Sequence, residues 1–205
     1  MVSSYPVSFD VDFPARPLDR VSTAFRIFAA IPICIVLALL TPDTVQNGQN
    51  TARNVGFGVG ILFLPLVVMI LFRQKYPRWW FDWNINFLRF TNRVSAYLAL
   101  LDDHYPSTDE EQSIHLDFAY PDARQLNRWL PLIKWLLAIP HYIVLFFLGI
   151  AALVVVIVAW FAILFTGAYP RNLFDFVVGV LRWSNRVTGY AFVLVTDQYP
   201  PFSLR

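Results

Sequence analysis

The chain has 205 residues, of which 57% are hydrophobic and 15% charged, and its formal net charge is +2. An ordinary soluble domain runs at roughly 45 to 50% apolar and about 25% charged, so the composition speaks against a water-soluble fold. Cys34 is the only cysteine, which excludes an intramolecular disulfide and a multi-cysteine metal site.

In chain order, Met1 to Leu18 carries Asp10, Asp12 and prolines instead of a basic stretch followed by an apolar one, so no cleavable signal peptide is expected. Within it, Val7, Phe9, Val11 and Phe13 alternate with polar residues. Ala24 to Leu40 holds Arg26 as its single charge, and Val55 to Phe72 holds none. Each is at the short end for crossing about 30 Å of hydrocarbon. Leu132 to Ala168, with Lys134 its single charge, would make roughly 55 Å of helix at 1.5 Å per residue. That length predicts two helices folded back on each other near Gly149, and four spans in all. Of the 16 Lys and Arg residues only Arg53 lies between the first two spans, and none lies near Gly149. The positive-inside rule then places both termini and the central segment in the cytoplasm.

The two halves resemble each other. Ala15-Arg16-Pro17-Leu18-Asp19-Arg20 matches Ala123-Arg124-Gln125-Leu126-Asn127-Arg128, and the register runs on to Ala30-Ile31-Pro32 against Ala138-Ile139-Pro140. Further along, Tyr76-Pro77-Arg78 returns as Tyr169-Pro170-Arg171, Leu88 to Val94 as Leu181 to Val187, and Asp103-His104-Tyr105-Pro106 as Asp197-Gln198-Tyr199-Pro200. The register change between these blocks assigns the extra residues of the first unit to the polar loop Thr41 to Val55. Two units follow, 1–108 and 109–205. Each is a pair of transmembrane helices plus an amphipathic helix, with both pairs inserted in the same direction.

The order Arg…Ile-Pro, then Gly167-Ala168-Tyr169-Pro170-Arg171, Val180-Leu181-Arg182-Trp183 and Thr196 to Phe202 resembles the bacterial membrane family catalogued as domain of unknown function four-three-eight-nine. The resemblance implies two tandem copies over nearly the whole chain, in a bacterial inner-membrane protein, and it supplies no activity. The first copy departs from the pattern at Arg73-Gln74-Lys75 and in its long loop.

After each hairpin comes a stretch with apolar residues every three or four positions. In Arg78 to Leu101 these include Trp80, Trp83, Phe87, Phe90, Val94 and Tyr97, opposite Asp82, Asn86, Arg89 and Arg93. The second unit repeats this with Phe176, Val180, Trp183, Val187 and Tyr190 against Asp175, Arg182 and Arg186. Arginine beside tryptophan suits the headgroup boundary, and such a helix could equally pack under its own bundle. Arg89, Arg93, Arg182, Arg186, Trp80, Trp83 and Trp183 are therefore candidate contacts for lipid, anionic lipid included, or for a partner. The alternating openings, Ile114-Leu116-Phe118 in the second unit, are β-prone and could form a small cytoplasmic sheet joining the units. The tail Tyr190 to Thr196 could be strand or continued helix.

His141 follows Pro140 inside the third run, and an intramembrane ionisable group is a functional suspect; a histidine hydrogen-bonded within the bundle is the plainer reading. Pro32 and Pro140 would each kink a helix. Phosphate-loop, nucleophile-elbow, zinc-helix and Cys-x-x-Cys patterns do not occur. Basic residues tied to membrane ends give nucleic-acid binding no support. The fold expected is an all-α membrane protein of four transmembrane helices in two tandem hairpins, with short strands as an option. The function expected is that of a non-enzymatic accessory or scaffold subunit, without cofactor or metal, packed against lipids and other membrane subunits. A small transporter or channel between the units is the alternative, and a lipid-headgroup enzyme comes third.

Overall fold

The computed structural model describes residues 5–40, 57–108, 110 and 112–205. The polar loop and Arg53 of the first unit, and Asp109 and Glu111 of the acidic linker, lie outside the described residues. The elements in order are β1 (Val7–Val11), α1 (Arg20–Leu40), α2 (Phe57–Arg73), α3 (Arg78–Leu98), β2 (Ile114–Phe118), α4 (Pro131–Leu137), α5 (Ile139–Thr166) and α6 (Arg171–Ala191).

The alternating segments pair as a two-stranded antiparallel sheet centred on Phe9 opposite Leu116. Their odd-numbered apolar positions in β1 and even-numbered ones in β2 are buried, and the intervening residues face outward. The buried face rests on α6 beneath β1 and α3 beneath β2. The amphipathic helices thus cover the sheet with their apolar faces, and Phe174, Val177 and Val178 of α6 join Phe81 and Ile85 of α3 in one core with the strands. Pro77 and Pro170 stand immediately before α3 and α6 in extended conformation, where a missing N–H is tolerated. The tail is neither strand nor continued helix: α6 ends at Ala191, and Leu194 turns the chain with φ 57°.

The apolar runs depart from expectation. Among the described residues two helices are long and apolar enough to cross a membrane, Arg20–Ala38 and Ile139–Thr166, with Leu64–Arg73 as a shorter apolar stretch; four spans are not supported. No turn forms at Gly149. The break falls instead at Ala138, between α4 and α5, because Pro140 lacks an N–H and sits in the first turn of α5 as a helix start. From there α5 runs 28 residues, about 42 Å at 1.5 Å per residue. Gly149 alone, without Asn, Asp or Pro beside it, is too weak a breaker to stop a run of good helix formers. Gly167 ends α5 with φ 75°, the left-handed cap that glycine adopts without steric cost. Pro32 lies inside α1, as the sequence implies.

Two buried cations tie the helices to the sheet layer. Arg26 of α1 is 2% exposed and Lys134 of α4 0%. Arg26 donates to the carbonyls of Tyr97 and Asp102 and pairs with Asp103. Lys134 donates to the Thr196 carbonyl at 2.7 Å and pairs with Asp197 at 2.7 Å. Each carboxylate also accepts a backbone N–H from the start of the partnered segment, Asp19 to Asp103 and Asn127 to Asp197, both at 2.7 Å. The rings of Tyr97 and Tyr190 lie beneath the cations at 4.4 and 5.2 Å. Between α3 and α6 the Asn92 and Asn185 amides bond to each other reciprocally at 2.9 and 2.7 Å, and each also donates to the carbonyl four residues back.

Nothing stands within 4 Å of a Cβ placed on Gly149. Gly149→Ala should therefore stabilise the protein in detergent by up to about 1 kcal/mol, the cost of glycine in a helix interior. Destabilisation of that size on denaturant titration would instead indicate a turn. Burial holds Lys134 below the usual lysine value of 10.5, with Asp197 pulling it back up. A cation whose folded value is lowered adds stability as pH rises from that value toward 10.5, because the unfolded chain then binds more protons than the folded one. Asp197→Asn should cost about 3–5 kcal/mol near neutral pH, the loss for a buried charge stripped of its partner. The deficit should narrow as pH rises above neutral and Lys134 sheds its proton; a pH-independent deficit would contradict the ion pair.

Candidate functional site

On α3 and α6 the arginine pairs stand one helical turn apart and reach the sheet. In an antiparallel pair only alternate residues bond across the ladder. With Asp12 bonded to Ser113 and Ala119 to Pro6, the carbonyls of Phe9 and Leu116 point away from the partner strand. Arg182 Nε donates to the Phe9 carbonyl at 2.8 Å, and Arg89 Nε donates to the Leu116 carbonyl at 3.0 Å. Asp10 then accepts from Arg182 at 2.9 Å, and Asp117 lies 3.6 Å from Arg89. Each guanidinium thus covers one outer edge of a sheet whose unpaired groups would otherwise be open to pairing with another chain.

The second arginine of each pair holds the segment that follows its helix. Arg93 donates to the Ser107 carbonyl at 3.0 Å, and Arg186 to the Ser203 carbonyl at 3.3 Å. Arg182 adds a bond to the Leu204 carbonyl at 3.1 Å. Burial, then the neighbouring Arg182 charge, pushes Arg186 below its usual range, with Tyr5 opposing. The arginine face that reads as open and anion-seeking in the sequence is thus largely occupied by the chain's own carbonyls and carboxylates. Asp82 and Asp175 pair instead with Arg78 and Arg171, four residues before them, at 3.4 and 3.1 Å. Helical spacing shows these surface pairs; the strand carbonyls, far away in sequence, leave no trace in it.

The halves differ in one place on this face. Pro201 to Leu204 lies along α6, and a Cβ on Gly179 would come within 2.9 Å of Leu204. In the first half Asn86 stands where Gly179 does, and the chain after Pro106 runs on toward β2. There a cavity of about 530 Å³ opens, lined by Ser8, Asn86, Arg89, Arg93, Thr108 and His115 among others.

The aromatic candidates separate. Trp80 stacks on Trp83 at 5.9 Å, and Trp83 on Phe87 at 5.5 Å with planes 2° apart. Trp79 meets Trp80 edge-on, and Trp79 and Trp83 are 65% and 41% exposed. This ladder belongs to α3 alone, since α6 carries Asn172, Leu173, Phe176 and Val180 at the corresponding positions. Trp183 is interior: its Nε1 donates to His141 Nδ1 at 3.1 Å. His141 is fully buried in the first turn of α5, stacked on Phe202 at 4.0 Å with Tyr199 at 4.8 Å. Its Nε2 is buried without a hydrogen-bond partner among the described residues. The corresponding Ile33 packs on Phe90, Val94 and Tyr97. His104 and His115 each bond to one aspartate, Asp102 and Asp12. Among the described residues no three His, Cys, Asp or Glu side chains gather as a metal set.

The family model described as Domain of unknown function (DUF4389) matches residues 129–203. The match is single and covers the second half, where the sequence pattern leads one to expect two; Arg73-Gln74-Lys75 and the long loop take the first half furthest from the pattern. No curated protein and no solved structure matches the chain.

Proposed function

We propose that the protein is a non-enzymatic integral membrane component, an accessory or scaffold subunit that packs its helices against lipid and a larger membrane complex. The observation that carries this is α5, a 28-residue helix in which only His141, Ala159 and Ile163 are buried. Phe146, Phe147, Leu153 and Phe165 point outward, Phe165 at 78% exposure. Burying an exposed phenylalanine or leucine is worth about 1.5–3 kcal/mol, so a surface of this kind favours a bilayer or an apolar partner over water. Phe25, Ile27 and Phe28 give α1 a similar outward face.

The reading extends to two units, 1–108 and 109–205, as tandem copies of one design. Support comes from the paired contacts: Arg26–Asp103 with Lys134–Asp197, Arg89–Leu116 with Arg182–Phe9, and the Asn92–Asn185 bond between them. In this reading the sheet, α3 and α6 form a layer on the cytoplasmic side of a bacterial inner membrane. Both termini lie on that side, and the Trp79 to Phe87 ladder sits at the headgroup level, where tryptophan is favoured. Arginines committed to backbone carbonyls suit a scaffold better than a centre where charge must change.

Alkaline carbonate should leave the protein in the membrane pellet, and mass spectrometry after gentle detergent extraction should show attached membrane proteins or lipids. Release by carbonate would overturn the membrane assignment, and a bare monomer would overturn the accessory role. The orphaned Nε2 of His141 favours the transport reading as second choice. Ion or solute flux in liposomes that vanishes on His141→Leu would establish it; the accessory reading expects no such flux.

A further inference from the structure

We propose that the corner where α2 turns into α3 binds the headgroup of an anionic phospholipid whose chains lie along α2 and α4. The arginines midway along α3 and α6 are occupied by the chain itself. By contrast Arg73, Lys75, Arg124 and Arg128 are exposed and pair with no carboxylate among the described residues. The fold brings them to one place. A cavity of about 480 Å³ lies there, lined by Gln74, Lys75, Tyr76, Tyr120, Asp122 and Arg124 among others. Arg128 reaches it by donating to Gln74 Oε1 at 2.6 Å, and Arg73 is the adjoining last residue of α2. The turn is held in position, because the Tyr120 hydroxyl donates to the Tyr76 carbonyl at 2.6 Å. The carboxylate on the lining, Asp122, is taken by the Arg124 N–H at 3.0 Å and the Gln125 amide at 3.1 Å. Asp82 on the next turn is matched by Arg78 at 3.4 Å. Of the acidic residues outside the described ones, Asp43 precedes α2 in sequence and Asp109 and Glu111 precede β2, whereas the cavity adjoins the far ends of both elements.

The corresponding corner of the second half lacks this chemistry. Thr166, Gly167 and Ala168 stand there for Arg73, Gln74 and Lys75, so Arg16 and Arg20 gain no further cations. Arg20 lies over Gly167, its guanidinium 3.6 Å from the place of a Cβ. Gly167 takes its φ of 75° without steric cost, while Gln74 at φ 43° adopts a left-handed conformation that burdens any residue with a side chain. What the glutamine adds is an amide that holds Arg128 at the cavity. The surroundings select a lipid over a soluble anion. Phe72 is exposed immediately before Arg73, and Trp129, Leu132, Ile133 and Leu136 are exposed on and just before α4, which packs against α2. An apolar surface that ends in uncompensated cations matches acyl chains joined to a phosphate, whose oxygens guanidinium groups hold by charge-assisted bonds. The site rests on the membrane reading and names the lipid class that it leaves open.

Native mass spectrometry of the full chain in detergent, titrated with equal amounts of dioleoyl phosphatidylglycerol and dioleoyl phosphatidylcholine, tests it. Phosphatidylglycerol should bind about tenfold or more tightly, the factor that corresponds to a hydrogen bond to a charged group. Lys75→Gln with Arg124→Gln should bring the two lipids within about twofold of each other, at an unchanged unfolding midpoint. The charge-conserving pair Lys75→Arg with Arg124→Lys should keep the preference. So should Arg16→Gln with Arg20→Gln, which removes the same charge at the other corner. The proposal fails if the wild type binds both lipids alike, or if the Arg16 and Arg20 changes lower the preference as much as those at Lys75 and Arg124. It fails equally if ammonium glycerol phosphate, a headgroup without chains, displaces the lipid completely at millimolar concentration, since that would mark a small-anion site. Each of these failures leaves carbonate extraction unaffected, whereas release by carbonate would remove the membrane reading itself.

Discussion

A full positive charge cannot remain inside a protein alone, and Arg26 and Lys134 are the most deeply enclosed cations among the described residues. Taking an ion out of water costs several kcal/mol even after relaxation, and the burial is sustained only when a partner and further hydrogen bonds surround the charge. Arg26 and Lys134 meet that condition by collecting pieces of chain that have no other reason to meet. These are a helix bearing the cation, the backbone at the start of its segment, and the loop that follows the amphipathic helix some seventy residues on. Once those loops are held, α3 and α6 are fixed against the sheet, and their arginines come within reach of the strand edges. Tyr76 makes the tie between halves tighter still, donating from a buried hydroxyl to the Val193 carbonyl at 2.6 Å.

From that constraint a division of labour follows. The polar groups of the sheet, α3 and α6 hold that layer together, and the apolar helices are left with faces that the described residues do not cover. The two halves are close in their ties and unlike in their surfaces. The second closes its groove with its own C-terminal residues, seats His141 among Trp183, Tyr199 and Phe202, and presents no aromatic ladder. The first has an open groove, Ile33 in place of the histidine, and Trp79, Trp80, Trp83 and Phe87 in a row.

Much of this was legible in the residues. Alternation marks Val7 to Val11 and Ile114 to Phe118 as β-prone, with a small sheet as an option that the fold takes up, and the three-to-four spacing gives α3 and α6 within a few residues of their ends. The helix course through Gly149 was not legible, because a length argument supposes that a helix longer than the bilayer must fold back, whereas a long apolar helix stays whole unless a strong breaker interrupts it. Nor could spacing show what the arginines bind. It reports neighbours on one helix, and their partners are carbonyls of strands and loops brought near by the fold. Arg26 and Lys134 read as the single charges of their apolar runs; the match of Asp103 and Asp197 in the repeated Asp-x-Tyr-Pro blocks was the available clue to their partners. Trp183 reads as a surface anchor by its place in the pattern and is interior because His141 offers its indole N–H an acceptor.

A double-mutant cycle on the first of the two ion pairs tests the central claim most directly, using Arg26→Met, Asp103→Asn and their combination, with unfolding free energies measured in one detergent. If the buried pair assembles the fold, the two losses will fall short of additivity by about 2 kcal/mol or more, as expected for residues in direct contact. Losses that add to within about 0.5 kcal/mol would mean that Arg26 and Asp103 act independently, and the assembly described above would have to be abandoned.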